Sequence, residues 1–195
     1  MENENIEYNH MMNEEPYDVN DPKLLHDRIV ARRLYTQLNN TDFEDEATKT
    51  KLVKQLFGST GEHVTVRPSF KCDYGYNIHV GEQFFANFDC ILLDTCDITI
   101  GKNALLAPHV KIYTASHPLN VKMRTSWIGT GKAVKIGDNC WIGGDAVIVP
   151  GVTLGDNVIV GAGAVVTKSF GDNVVIAGNP ARMIHQLDAE GNIIG

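Results

Sequence analysis

The stretch IGDNCWIGGDAVIVPGVTLGDNVIVGAGAVVTK, residues 136–168, places an aliphatic residue at every sixth position: Ile136, Ile142, Ile148, Leu154, Val160 and Val166. Glycine follows four of these directly, at Gly137, Gly143, Gly155 and Gly161. Short aliphatic runs broken by small corner residues leave no chain for crossover helices, so the backbone must turn at each corner and wind into a solenoid. Three hexads make a coil of 18 residues, and the corner Gly137-Asp138-Asn139 returns 18 positions later as Gly155-Asp156-Asn157. The pattern predicts an all-β fold, a parallel β-helix of triangular cross-section.

The whole chain is 195 residues, enough for one domain with a real core and a small helical appendage. A formal net charge of -7 without a compensating Lys/Arg block argues against nucleic acid or an anionic membrane as partner. Cys72, Cys90, Cys96 and Cys140 form neither a C-x-x-C pair nor a small secreted framework, which points to reduced thiols. The N-terminal MENENIEYNHMMNEEP lacks an apolar or basic targeting region, and no long apolar span follows, so the expected location is cytoplasmic.

Residues 1–15 are polar and are expected to be flexible. Residues 16–60 form a helical region. Asp21-Pro22 offers an N-cap and N1 proline, and Leu25, Ile29, Val30, Leu34 and Leu38 follow at helical spacing, giving a helix over 22–38. Thr41 with Glu44 makes a capping-box pattern for a second helix over 42–57, ended at Gly58. From Val64 short β-branched runs take over, and the solenoid spans 61–182 in about five coils. Val80 and Ile100 lie 20 residues apart, so two extra residues bulge between them, and bulges often border sites. An excursion loop, 113–131, drops the hexad and carries His117 and Trp127. Val147, Val149, Val152 and Val165 are read as outward residues that leave the flat faces apolar, which favours a threefold ring of copies. Gly178-Asn179-Pro180 stops the solenoid, and 183–195 forms a short tail of helical character.

Hexads indicate a fold and not a chemistry. The strings FKCDYGYNIHVGEQFFANFDCILLD (70–94), YTASHP (113–118), residues 141–168 and AGNPAR (177–182) resemble the maltose and galactoside O-acetyltransferases, hexapeptide-repeat enzymes that use acetyl-CoA. The resemblance covers roughly 17–187 and implies an N-terminal helical pair before a left-handed β-helix; parallel crossovers in general are right-handed. It also implies direct transfer of an acetyl group from acetyl-CoA to a sugar hydroxyl in a ternary complex, with no metal required and no enzyme nucleophile. Active sites between the subunits of a homotrimer follow from the same likeness.

The resemblance assigns roles to particular residues. His117, in SHP, is the general base, a task suited to histidine, and Pro118 biases its backbone towards extension. Asn87, in FFANFD, serves the acceptor and the transition state, although a corner asparagine also tolerates left-handed angles for purely structural reasons. Asp18, Arg28, Asp73 and Asp94 line the acceptor pocket, with a helix cap or a corner as the structural alternative for Asp18 and Asp94. Trp141, Gly144, Ala162, Thr167, Lys168 and Arg182 match the coenzyme positions: small residues admit the pantetheine arm and cations meet the phosphates. His185 stands where relatives often carry a second basic residue. One departure concerns the end of the excursion loop. Where close relatives carry glycine, glutamate and proline, this chain has Trp127, Gly129 and Ala133, and Trp127 is a candidate stacking platform for a sugar ring. Two other readings remain: a zinc hydratase using His79, His109 and His117, and a scaffold that has lost activity.

Overall fold

The hexad residues point inward. In the computed structural model, which describes residues 5–194, Val66, Cys72, Val80, Ala86, Leu92, Ile100, Leu106 and Ile112 lead on to Ile136 and its successors through Val166, and none is more than 7 % exposed. Three flat parallel sheets enclose this column. The first stacks Ile78–Val80, Ile98–Ile100, Val134–Ile136 and Thr153–Leu154. The second stacks Phe70–Cys72, Cys90–Leu93, Lys111–Tyr113, Val147–Ile148 and Val165–Val166. The third runs through Val64–Val66, Phe84–Ala86, Leu105–Leu106, Trp141–Ile142, Val158–Val160 and Val174–Ala177. That third face holds six parallel strands, one coil more than the hexad count suggests.

The corner chemistry explains the repeat. Asp138 Oδ1 accepts from Lys102 N at 2.9 Å, Asp156 Oδ1 from Asp138 N at 2.7 Å and Asp172 Oδ1 from Asp156 N at 2.8 Å, so each aspartate fastens its own coil to the one below. Asn103, Asn139, Asn157 and Asn173 occupy the left-handed region at φ 53–58°, which asparagine tolerates. Gly137 is obligatory for a different reason: a Cβ there would lie 2.3 Å from Asp156 Oδ1 and 2.6 Å from the Gly155 backbone.

The irregular segments fall on one edge of the prism. Cys72 to Val80 and Leu92 to Ile100 each span eight positions where a regular hexad spans six, and both lie on the edge between the second and first sheets. The excursion leaves from that edge too. It is a hairpin, Ala115–Ser116 antiparallel to Ile128–Gly131, with a short helix α4 (Val121–Thr125) at its tip. The extra residues therefore collect in one place and build a side chamber on an otherwise smooth wall.

Several expectations need correction. Residues 6–12, read as part of a flexible end, form helix α1 (Ile6–Met12), because Asn5 caps it at Tyr8 N and Met11 is fully buried. Helix α2 (Pro22–Asn39) agrees with the sequence reading, capped by Asp21 at Lys23 N and Leu24 N. Helix α3 (Glu46–Leu56) begins later than the Thr41–Glu44 pattern implies, since Asp45 is the cap and Thr41 donates back to Gln37 O. Leu38, Leu52, Val53, Leu56 and Phe57 belong to the same apolar core as Val64 and Phe70 and close the foot of the solenoid. Val152 faces inward at 2 % exposure. The tail is not helical: after Gly178-Asn179-Pro180 the chain reverses and Arg182–Gln186 pairs antiparallel with Val174–Ala177, covering the last strand edge. The four cysteines are free and buried. Among the described residues, no helix is long and apolar enough to cross a membrane.

Candidate active site

The excursion hairpin acquires a third strand from the N-terminal region. Tyr17–Asp18 pairs with the far strand of the hairpin, Tyr17 opposite Gly129 and Asp18 opposite Ile128. This strand is fastened on both sides, by Asp18 N donating to Glu7 Oε2 at 2.6 Å and by Ala133 N donating to Glu14 Oε1 at 2.8 Å. At the tip, Asn120 caps α4 at Met123 N, and Arg124 Nη1 donates to the carbonyls of Pro118 (3.1 Å) and Leu119 (2.9 Å). The turn that follows His117 is held by that guanidinium.

His117 sits at the base of the hairpin with Nδ1 3.0 Å from Ile128 O. A carbonyl oxygen only accepts, so Nδ1 carries a proton, and in the neutral ring it is Nε2 that has the free lone pair. The ring borders a cleft of about 240 Å³ whose walls include Arg28, Asp73, Tyr17, Thr95 and Trp127. Arg28 donates to Tyr74 Oη at 2.7 Å and to Val19 O at 2.6 Å, tying α2 to the wall. Burial raises the Asp73 carboxyl, and the guanidinium groups of Arg28 and Arg32 pull it back down. A second cleft of about 500 Å³ runs along the same edge past Glu14, Lys132 and Pro150, and Ser116 borders both. Thr167 and Lys168 occupy this edge one coil further on, between Val165–Val166 and Phe170; Lys168 Nζ lies 5.3 Å from the Phe170 ring centre.

Asn87, Gly144 and Ala162 stand on a different edge, between the third and second sheets. Backbone bonds from Asn87 N to Leu106 O, Ala107 N to Ile142 O and Gly143 N to Val160 O, each 2.8–2.9 Å, set these corners one above another. Asn87 Oδ1 accepts from Phe88 N at 2.9 Å, which leaves the amide nitrogen to donate. At Gly144 a Cβ would press on a single neighbour, Pro108 O, at 3.3 Å. Beside this edge Trp141 is 51 % exposed on the outer face of the third sheet, in register with Leu105 and Ile159. Arg182 opens the closing strand and donates to Ala181 O at 2.9 Å. His117 and Asn87 therefore belong to different edges of one prism and do not face a common cleft within a chain.

Two expected acceptor residues are displaced by one position. Asp18 alternates away from the cleft and caps its own turn, its Oδ1 accepting from Asn20 N at 2.8 Å, while Tyr17 and Val19 line the wall. Asp94 has no exposed surface: Oδ1 accepts from Asp73 N and Tyr74 N at 2.9 Å each, and Oδ2 from Asn77 N at 3.3 Å. It holds the corner that presents Asp73, and its neighbour Thr95 is the residue that reaches the cleft. Burial pushes the Asp94 carboxyl up to about 7, against the backbone donors that favour its charged form. Sequence reasoning missed Tyr17, Tyr74 and Thr95, although the two-residue excess between Val80 and Ile100 marked the corner on which Thr95 lies. His79 lies on the first sheet and His109 on the Asn87 edge, away from His117, and among the described residues no three side chains of His, Cys, Asp or Glu gather as a metal site.

Comparison with known proteins agrees with this architecture. Residues 10–61 match the maltose acetyltransferase hexapeptide capping motif, and residues 133–168 match the hexapeptide repeat of succinyl-transferase. A putative acetyltransferase of Dictyostelium discoideum is 54 % identical over 171 residues, covering 88 % of this chain and 89 % of that one. The crystal structure of a maltose O-acetyltransferase from Clostridium difficile 630 superposes with a TM-score of 0.92 at 49 % identity, covering 93 % of this chain and 97 % of the other. A galactoside acetyltransferase in complex with coenzyme A superposes with a TM-score of 0.90 at 32 % identity, covering 97 % and 98 %. The hexad solenoid, the N-terminal helical cap and the His117 hairpin are thus those of a family of acetyltransferases, and the chain belongs to it: the hexapeptide-repeat O-acetyltransferases of the galactoside and maltose type.

Proposed function

We propose that the protein transfers the acetyl group of acetyl-CoA to a hydroxyl of a sugar, with His117 as the general base. The observation that carries this reading is the bond from His117 Nδ1–H to Ile128 O, which makes Nε2 the basic nitrogen of the neutral ring, in a cleft whose wall offers Asp73, Arg28 and Thr95 to a polyhydroxylated acceptor. Nε2 takes the hydroxyl proton as the acceptor oxygen closes on the carbonyl carbon, and returns it to the departing sulfur. Negative charge grows on the carbonyl oxygen in between and requires a donor already in place, the role given to the amide nitrogen of Asn87.

Because Asn87 stands on another edge, the reading requires a second copy of the chain to bring its Asn87 edge against the His117 cleft, most simply in a closed threefold ring. The residues fit a coenzyme A molecule lying between two such edges. The corner at Gly144, which bears no side chain, and the small Ala162 admit the arm, Trp141 flanks it, Thr167 offers a hydroxyl, and Lys168 and Arg182 supply charge for phosphates. When bound, acetyl-CoA supplies the acetyl group as a thioester and the chain's own groups move the proton. Release of free thiol from acetyl-CoA in the presence of a panel of mono- and disaccharides tests the reading. Release with at least one neutral sugar, abolished in His117→Ala, is expected; acetyl transfer surviving undiminished in that variant moves the base elsewhere.

A further inference from the structure

Tyr17 stands opposite Gly129 in the antiparallel sheet, and the space between them is fully used. A Cβ on Gly129 would lie 2.7 Å from Tyr17 Cζ, 2.8 Å from Tyr17 Cε1 and 2.7 Å from Val19 Cγ1. Gly129 does not adopt a left-handed backbone, so what the position supplies is room, not conformational freedom. The phenol ring occupies that room. It is 5 % exposed and still borders the acceptor cleft, on a wall it shares with Thr95, Asp73 and Arg28.

We propose that Tyr17 and Gly129 form a steric pair that sets acceptor specificity: the ring, seated in the space Gly129 leaves, floors a subsite for one pyranose ring, and its hydroxyl hydrogen-bonds a hydroxyl of that ring. The inference rests on the acetyl-transfer reading and extends it to the class of acceptor. Within one chain the cleft of about 240 Å³ is smaller than the roughly 300–1,000 Å³ that encloses drug-sized ligands, which suits a single sugar ring. Trp127, 64 % exposed at the wall of the cleft, offers an indole face to a sugar ring.

Acceptor kinetics of Tyr17→Phe, Gly129→Ala and the double variant Gly129→Ala/Tyr17→Leu test the pair. Wild-type transfer to a neutral sugar is measured first; its absence overturns the acetyl-transfer reading and this one with it. Given wild-type transfer, Tyr17→Phe is expected to raise acceptor KM about tenfold, with kcat and the KM for acetyl-CoA within about twofold, because only one hydrogen bond to the acceptor is lost. Gly129→Ala is expected to cost more in acceptor kcat/KM than Tyr17→Phe, and the double variant to recover part of that loss by removing the ring the new methyl strikes. An acceptor KM in Tyr17→Phe within twofold of wild type for every sugar overturns the proposal, as does a well-folded double variant no better than Gly129→Ala. Should Gly129→Ala not fold, the isosteric Tyr17→Phe decides alone.

Discussion

Asp94→Ala removes a side chain that never meets solvent, and its consequences follow from counting donors. In the native corner, one carboxylate accepts from the backbone N–H groups of Asp73, Tyr74 and Asn77. Alanine leaves all three unpaired in a fully buried setting, at about 1–3 kcal/mol each, with the lower end applying where a water can enter the vacated space. The expected loss is about 3–5 kcal/mol, a large part of the roughly 5–15 kcal/mol that holds a typical domain together. Asp94→Asn keeps one acceptor oxygen but turns an NH₂ donor towards one of the donors, and should cost about 1–3 kcal/mol. Urea unfolding followed by circular dichroism reads both. The same corner presents Asp73 to the cleft, so acceptor KM should rise in Asp94→Asn while the KM for acetyl-CoA stays near wild type. A loss below about 1 kcal/mol in Asp94→Ala, with unchanged acceptor KM, would refute the claim that Asp94 holds this corner.

Burial raises Asp94 in the folded chain from 3.8 to about 7, so the native state holds a proton that the unfolded chain releases. That contribution is complete below about pH 4 and is lost as pH rises through about 7; wild type should therefore lose stability relative to Asp94→Asn between about pH 5 and pH 8 in urea titrations, and a constant gap contradicts it. Gly137→Ala drives a methyl to 2.3 Å from Asp156 Oδ1 and should cost about 3 kcal/mol, whereas Gly171→Ala, with nothing within 4 Å, should stay within about 0.5 kcal/mol; equal melting temperatures for the two contradict the corner account. Ala133→Pro deletes the N–H that Glu14 accepts, and limited proteolysis should then cut the segment before Tyr17 several times faster, with solenoid stability lowered by about 1 kcal/mol or less. Unchanged cleavage kinetics would mean that this bond does not fasten the segment.

The solenoid was legible because an inward hexad residue fixes three faces at once: a register error at Ile142 would expose Leu106 and Val160 together. The two-residue excess between Val80 and Ile100 was legible as well, and it marks the edge where the His117 cleft lies. Single-residue identity within that edge was less so. Asp18 and Asp94 each neighbour a residue that reaches the cleft: for Asp18 backbone alternation decides, and it depends on the pairing of Tyr17 with Gly129 over a hundred residues away, while for Asp94 the corner bonds from Asp73, Tyr74 and Asn77 decide. Helix α1 escaped notice because its polar composition hides the burial of one residue, Met11, against tertiary partners. The tail misled for the converse reason: Arg182–Gln186 is compatible with a helix, and pairing to the exposed edge of Val174–Ala177 overrides that preference.

Subunit complementation tests most directly whether the active site is built from two edges of two copies. His117→Ala and Asn87→Ala are each expected to be nearly inactive alone. Mixed in equal amounts, unfolded and refolded together, they should form rings in which about a quarter of the sites pair an intact His117 with an intact Asn87, and thiol release should recover to about that fraction of wild type. No recovery from a properly assembled mixture would place both groups in one chain and contradict the account.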